Sequence, residues 1–157
     1  MKLTTRQDIE APAAFVFAAL RDFEAWERLA LRRGADVSRT DTLHQVVAGL
    51  SWMIKFDYRG KQRRIALRLT RIETPVNLAF AGTGASLEGL AGLDLMALTA
   101  RRTRLSVTLD LRPRTIGMRL VMQSMRLVKS RVNRRFADRV DQVCSEIEAR
   151  YRHMPKP

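Results

Sequence analysis

The chain has 157 residues, of which 46% are hydrophobic, and this composition is typical of a globular protein. We therefore expect a single domain over residues 1–157. Lysine and arginine outnumber aspartate and glutamate by 29 to 16, and the net charge of +13 favours anionic partners. The sequence contains no apolar run long enough to be a transmembrane segment and no apolar leader after Met1, so we expect a cytoplasmic protein.

The first forty residues predict a strand, two short helices and an edge strand. Residues 3–9 alternate between apolar and polar side chains, as a half-buried strand does. Pro12 follows, and it suits the start of a helix because its missing N–H group is not needed there. A second short helix should end near Gly34, and residues 35–40 are typical of a short edge strand.

The middle of the chain predicts a meander of antiparallel strands with one apolar face. Tight turns at Arg59-Gly60 and Thr74-Pro75 bring apolar residues opposite one another, which supports the register. The expected pairs are Trp52 with Leu67, Ile54 with Ile65, Leu69 with Phe80 and Leu67 with Gly82.

A last hairpin, turning near Arg101-Arg102, decides the position of Asp94. An even-length turn there places Asp94 on the apolar face, where a carboxyl group would have a raised pKa and could act as an acid or base. A register shifted by one residue would instead leave Asp94 in water and bury Leu93 and Leu95. The first register gives the pairs Leu98 with Leu105 and Met96 with Val107.

The C-terminal part of the chain predicts one long helix from about Thr115 to Arg152. Its apolar residues are spaced by threes and fours and form one stripe, which we expect to cover the apolar face of the sheet. The stripe comprises Val121, Met125, Val128, Val132, Phe136, Val140, Val143, Ile147 and Tyr151. Cys144, the one cysteine in the sequence, lies beside the stripe and is interpreted as a packed core thiol.

Three segments carry a resemblance to a known family: the opening IEAPAAFVFAALRDFEAW and the later strands RIETPVNLAF and RRTRLSVTLDL. They are similar to the usual start and to later strands of the START-like (SRPBCC) superfamily, which includes polyketide cyclase/dehydrase-like proteins. The resemblance implies an α+β helix-grip fold, with a curved antiparallel sheet of about seven strands around a long C-terminal helix and two short helices after the first strand. Members typically hold a hydrophobic ligand between sheet and helix, and a few are enzymes.

The first functional hypothesis is binding or carriage of a hydrophobic or amphipathic small molecule, of a lipid, polyketide or isoprenoid-like kind. The ligand would lie between the sheet and the C-terminal helix, where apolar side chains and adaptable methionines surround it. The residues expected to line this cavity are Trp52, Ile54, Phe56, Leu67, Leu69, Phe80, Gly82, Met96, Val107, Met118, Met122 and Met125. Neither histidine lies at ligand spacing, so we expect no metal site and no cofactor.

Two alternatives remain open from the sequence. The first is a cyclase/dehydrase-type enzyme, whose candidate catalytic residues are Asp94, Tyr58 and Arg63. The second is a basic module that docks to RNA, a ribosome or an anionic membrane, because residues 111–137 contain eight basic residues and no acidic one. A solvated basic face explains the same residues without a partner. The candidate anion-binding ridge comprises Arg119, Arg126, Lys129, Arg131, Arg134 and Arg135.

Overall fold

A computed structural model of the chain describes residues 1–155, and residues 156 and 157 of the predicted domain lie outside the described residues. Seven antiparallel strands form one curved sheet in the order β1-β7-β6-β5-β4-β3-β2, and the predicted α+β architecture is confirmed. The elements are β1 (Lys2–Ile9), α1 (Ala13–Leu20), α2 (Phe23–Arg32), β2 (Asp36–Arg39), β3 (Ser51–Tyr58), β4 (Lys61–Glu73), β5 (Asn77–Gly84), β6 (Leu87–Thr99), β7 (Arg102–Pro113), α3 (Ile116–Arg126) and α4 (Lys129–Arg152).

The C-terminal helix is broken, which corrects the prediction of one continuous helix. The helix α3 ends at Arg126 and α4 begins at Lys129, and Val128 between them has φ −120° and ψ 27°, outside the helical region. The two helices meet different surfaces, since α3 packs against β7 whereas α4 packs against β1 and α1. Val121 and Val128, which a single stripe would bury, are therefore exposed.

The hairpin of β3 and β4 has the predicted register throughout, and the hairpin of β4 and β5 has it as far as Leu69. Between Leu69 and Arg71 a bulge shifts the register by one residue, so Glu73 pairs with Asn77 and the turn is one residue longer than the predicted Thr74-Pro75 turn. Arg59 and Gly60 have φ values of 52° and 74°, as a two-residue type I′ turn requires. This turn fixes the face on which each residue of β3 and β4 lies. All four predicted pairs are confirmed: Trp52 with Leu67, Ile54 with Ile65, Leu69 with Phe80 and Leu67 with Gly82.

The last hairpin has a different register from the one that places Asp94 on the apolar face. Thr99 pairs with Arg102, so the turn lies one residue earlier than predicted, and the register shifts again between Ala97 and Thr99. Together the two changes shift the pairing of β6 by an odd number of residues. Because side chains alternate between the faces of a strand, every side chain of β6 lies on the face opposite to the predicted one. The pairs Leu98 with Leu105 and Met96 with Val107 are therefore wrong. The observed pairs are Leu95 with Leu105 and Leu93 with Val107.

The core lies between the inner face of the sheet and the helices α1 and α4. Val16 and Phe17 of α1 are fully buried there, together with residues of every central strand. Cys144 is also buried, and desolvation raises the pKa of its thiol to about 12, with Asp141 and Glu148 acting in the same direction. The thiol therefore stays protonated and unreactive, and the interpretation of Cys144 as a core residue is confirmed.

Candidate functional site

A cavity of about 470 Å³ lies between the inner face of the sheet and the helices α2 and α4. This volume falls within the range of small-molecule binding sites. Sixteen of the eighteen lining residues are apolar, and the two others are Glu27 and Arg139. The apolar residues are Leu20, Phe23, Trp26, Ala30, Val37, Trp52, Ile54, Leu67, Leu78, Phe80, Leu93, Leu105, Val107, Phe136, Val140 and Val143.

The helix α2 forms one wall, and its two ends are fixed by local hydrogen bonds. At the start, the side chain of Asp22 accepts a hydrogen bond from the backbone N–H of Ala25, with a distance of 3.4 Å. At the end, Gly34 adopts φ +90° and the N–H of Ala35 donates to the carbonyl of Ala30 at 2.9 Å, as in a Schellman motif. The helical spacing then directs four residues into the cavity: Phe23, Trp26, Glu27 and Ala30.

Three aromatic rings hold one side of the cavity open. The ring centroids of Phe23 and Trp52 are 5.1 Å apart, and those of Phe23 and Phe80 are 6.1 Å apart, both in edge-to-face geometry. Such pairs add about 0.5–1.5 kcal/mol each beyond burial alone. Because the rings brace one another across α2, β3 and β5, this wall is preformed.

Two charged side chains provide the polar part of the cavity wall. Glu27 accepts a hydrogen bond from the indole N–H of Trp52 at 2.8 Å. Trp52 is buried, so without Glu27 this N–H would have no hydrogen-bond partner, and the contact fixes the Glu27 carboxylate. Arg139 lies on α4 and makes no ion pair with any residue of the described chain. The guanidinium group of Arg139 is therefore the charge available to a ligand.

The loop between β2 and β3 is anchored next to Trp52 by a carboxylate. Arg39 lies over the Trp52 ring, 5.8 Å from the ring centroid, and pairs with Asp41 at 2.6 Å. The Asp41 carboxylate also accepts hydrogen bonds from the backbone N–H groups of Ser51 at 2.7 Å and Leu43 at 2.9 Å. The hydrogen bond from Arg39, and then those from the backbone, hold the pKa of Asp41 well below its usual value.

We expect Asp41→Asn to destabilise the protein near neutral pH and to have less effect in acid. The pKa of Asp41 is lower in the folded state than in the unfolded state, where it is about 3.9. Its ionised form therefore contributes stability that is present above the unfolded pKa and is lost as the pH falls toward the folded one. Urea unfolding of both proteins from about pH 7 to about pH 3 measures the difference. Asp57→Asn, at an exposed position of β3, should show a small difference at every pH.

Five of the twelve predicted cavity residues lie in its wall: Trp52, Ile54, Leu67, Phe80 and Val107. The prediction for Met96 is wrong, because the shifted register leaves its side chain 61% exposed on the other face. Leu69 lies in the filled core rather than in the wall. The break after α3 moves three methionines away from the cavity, and Phe56 and Gly82 also lie outside its wall. These displaced methionines are Met118, Met122 and Met125.

The three candidate catalytic residues lie outside the cavity wall, and of the two registers considered for Asp94 the one that leaves it in water is observed. Asp94 is exposed, and its carboxylate accepts a hydrogen bond from the side-chain amide of Asn77 at 2.7 Å. Tyr58 and Arg63 are exposed at the outer end of the hairpin of β3 and β4. The lining residues of α2 were missed because the spacing of Phe23, Trp26 and Ala30 indicates a buried face without indicating whether that face is filled.

The candidate anion-binding ridge is exposed along its whole length, but it spans two helices instead of one. Arg119 and Arg126 lie on α3, and the remaining four lie on the first two turns of α4: Lys129, Arg131, Arg134 and Arg135. Within the described chain, none of the six side chains makes an ion pair. Six unneutralised cations therefore lie on one contiguous stretch of the chain.

Residues 1–155 contain neither a cluster of metal ligands nor a membrane-spanning helix. Among them, no three histidine, cysteine, aspartate or glutamate side chains come together as metal ligands would. Nor does any helix in this range combine the length and apolar character needed to cross a bilayer.

The sheet order, the two short helices after β1 and the long helix α4 across the inner face define a START-like helix-grip fold. The cavity lies where this fold places sheet and helix face to face. Comparison with known proteins supports the same fold. No family model and no curated protein matches the chain.

Solved structures do match. The Zhui aromatase/cyclase from Streptomyces sp. R1128 is 17% identical, with a TM-score of 0.72 over 96% of this chain and 94% of the other. A protein from Thermus thermophilus is 13% identical, with a TM-score of 0.69 over 95% and 98%. A START superfamily protein from Mycobacterium smegmatis is 11% identical, with a TM-score of 0.65 over 98% and 99%. At these identities the likeness establishes the fold.

Proposed function

We propose that this protein binds a hydrophobic or amphipathic small molecule in the cavity between the sheet, α2 and α4. The observation that carries the proposal is an open volume of about 470 Å³ with sixteen apolar residues among its eighteen lining residues. An apolar ligand gains about 25 cal/mol for each Å² that it removes from water. The aromatic bracing of Phe23, Trp52 and Phe80 keeps this space open before the ligand arrives.

The charged residues of the wall favour a ligand with an acidic group. Glu27 is engaged by the Trp52 indole, whereas Arg139 has no ion-pair partner in residues 1–155. A carboxylate, phenolate or sulfonate at the end of an apolar body would place its charge at Arg139 and its carbon skeleton against the sheet. Fatty acids, polyketides with carboxyl or phenol groups, and isoprenoid acids share this chemistry.

Binding without turnover is the interpretation that the geometry favours. A cyclase would need acid, base or oriented polar groups beside the bound molecule. Asp94, Tyr58 and Arg63 all lie away from the cavity, and the wall there is almost entirely apolar. The solved aromatase/cyclase supports a shared fold at 17% identity and carries no residue role over to this chain.

A probe that combines an apolar body with one negative charge tests the proposal, because it matches both the apolar wall and Arg139. Anilinonaphthalenesulfonate is an apolar fluorophore that carries one sulfonate, and we expect it to bind with a stoichiometry of one and an increase in fluorescence. Arg139→Ala should weaken this binding by about tenfold, since a charge-assisted contact is lost. The uncharged analogue phenylnaphthylamine should bind the variant and the parent protein equally.

Native mass spectrometry of the freshly purified protein provides an independent measurement. An added mass that organic extraction releases as an apolar acid would support the proposal and define the ligand class. A protein that carries no added mass and binds neither fluorophore would contradict it.

A further inference from the structure

A second surface, away from the cavity wall, combines exposed aliphatic side chains with unpaired cations. The helix α3 turns its methionines toward the protein, and Met122 among them is buried. Its opposite side carries Ile116 and Leu120, which are 78% and 59% exposed. Leu127 follows directly after the helix, is 89% exposed and keeps helical backbone angles of φ −66° and ψ −25°. At 100° per residue these three positions fall within about 40° of one another, so they form one outward stripe.

The cations of the ridge flank this stripe. Arg119 and Arg126 lie on α3, next in sequence to the exposed Leu120 and Leu127. Lys129 and Arg131 extend the row of cations onto α4. The sequence has no acidic residue from 111 to 137, and although Arg112 pairs with Asp110 just before this stretch, no ridge cation has an ion-pair partner among residues 1–155. A group of exposed aliphatic side chains on one face often marks a binding surface. Three of them beside arginines suit a partner that is both apolar and anionic.

We propose that this surface, made of the outer stripe of α3 and the ridge, docks to an anionic lipid bilayer. The aliphatic tips would enter the boundary between headgroups and acyl chains, and the cations would lie at the level of the lipid phosphates. Each basic residue near an anionic membrane contributes about 1 kcal/mol, which is about a fivefold gain in affinity. The helix would lie in the plane of the interface, as amphipathic surface helices do.

Two other occupants fit the surface less well. A second copy of the chain would bring two ridges together, with no acidic residue in the segment to neutralise either. A nucleic acid would use the cations but gains nothing from Ile116, Leu120 and Leu127. Phe136 is the one aromatic residue in the segment 111–137, and it lines the cavity instead of offering a ring for base stacking.

Vesicle co-sedimentation tests the proposal. We expect the protein to bind vesicles of equal parts phosphatidylserine and phosphatidylcholine and to stay in solution with phosphatidylcholine alone. The double variant Leu120→Ser/Leu127→Ser should bind about a hundredfold more weakly, because two leucines no longer enter the bilayer. Arg119→Ala/Arg126→Ala should weaken binding by about tenfold or more. Raising the salt from about 0.1 M to about 1 M should weaken binding of the parent protein as well.

Matched controls separate this surface from general hydrophobicity and charge. Leu31→Ser/Leu90→Ser replaces two leucines that are exposed elsewhere, and Arg64→Ala/Arg101→Ala removes two exposed arginines elsewhere. Both controls should bind vesicles like the parent protein. All four double variants should keep the parent's melting temperature, because each changes exposed side chains.

Each possible result of the vesicle experiment either supports or contradicts membrane docking. Loss of binding in the α3 variants with retention in both controls supports the proposal. Absence of binding to the anionic vesicles overturns it, as does equal loss in controls and α3 variants. A dimer that the leucine variants dissociate, or RNA binding that needs the arginines but not the leucines, would also overturn it. Fluorophore binding in the cavity should be the same in every variant. A negative result for vesicle binding can therefore be distinguished from a negative result for ligand binding in the cavity.

Discussion

Replacing Phe17 with alanine is expected to destabilise the protein by about 3–5 kcal/mol, the usual cost of deleting a fully buried ring. Phe17 is 2% exposed and lies on α1 within the filled part of the core. Its removal both loses the transfer free energy of the ring and leaves a void that surrounding strands cannot close. Urea unfolding with linear extrapolation measures the loss directly.

Phe23→Ala is the matched comparison, because it makes the same chemical change at the cavity. One side of the Phe23 ring already borders open space, so less burial is lost than at Phe17. The substitution also removes the ring pairs with Trp52 and Phe80, and we expect a cost of about 2–3 kcal/mol. Equal losses at Phe17 and Phe23 would mean that the cavity is closed in solution, and they would weaken the proposed function as well.

The strand registers could be predicted wherever a short turn and an apolar face agreed. The Arg59-Gly60 turn leaves one pairing that puts Trp52 and Ile54 opposite apolar partners, and that pairing is observed. At the last hairpin, two registers bury a comparable number of apolar residues, so the pattern of residues could not choose between them. The irregularity beside Leu98 decided the register, and it leaves Asp94 on the exposed face.

The candidate site was harder to predict for a different reason. Periodicity shows which face of an element is buried, but a filled core and an open cavity bury the same face. Trp52 and Leu69 both lie on inward positions, yet Trp52 lines the cavity and Leu69 is packed solidly. The break at Leu127 and Val128 was equally hidden, because the sequence there continues the helical spacing without a glycine or proline.

Filling the cavity should abolish ligand binding without unfolding the protein, and Ala30→Phe is the substitution that the structure favours. Ala30 lies on the wall formed by α2, and its backbone is held by the hydrogen bond from Ala35. A phenyl group at this position would project into a volume of about 470 Å³ instead of into packed atoms. We expect fluorophore affinity to fall by at least about a hundredfold, since a single excess methylene in an apolar pocket already costs about tenfold or more.

Ala14→Phe is the control for this substitution, because Ala14 is exposed on the neighbouring helix α1 and should leave fluorophore binding unchanged. Melting temperatures measured alongside decide how a loss is interpreted. A loss of binding with unchanged melting temperature would locate the ligand in the cavity, since the added ring competes with it for space. If Ala30→Phe folds normally and binds the fluorophore like the parent protein, the ligand lies elsewhere on the molecule and the cavity is not the binding site.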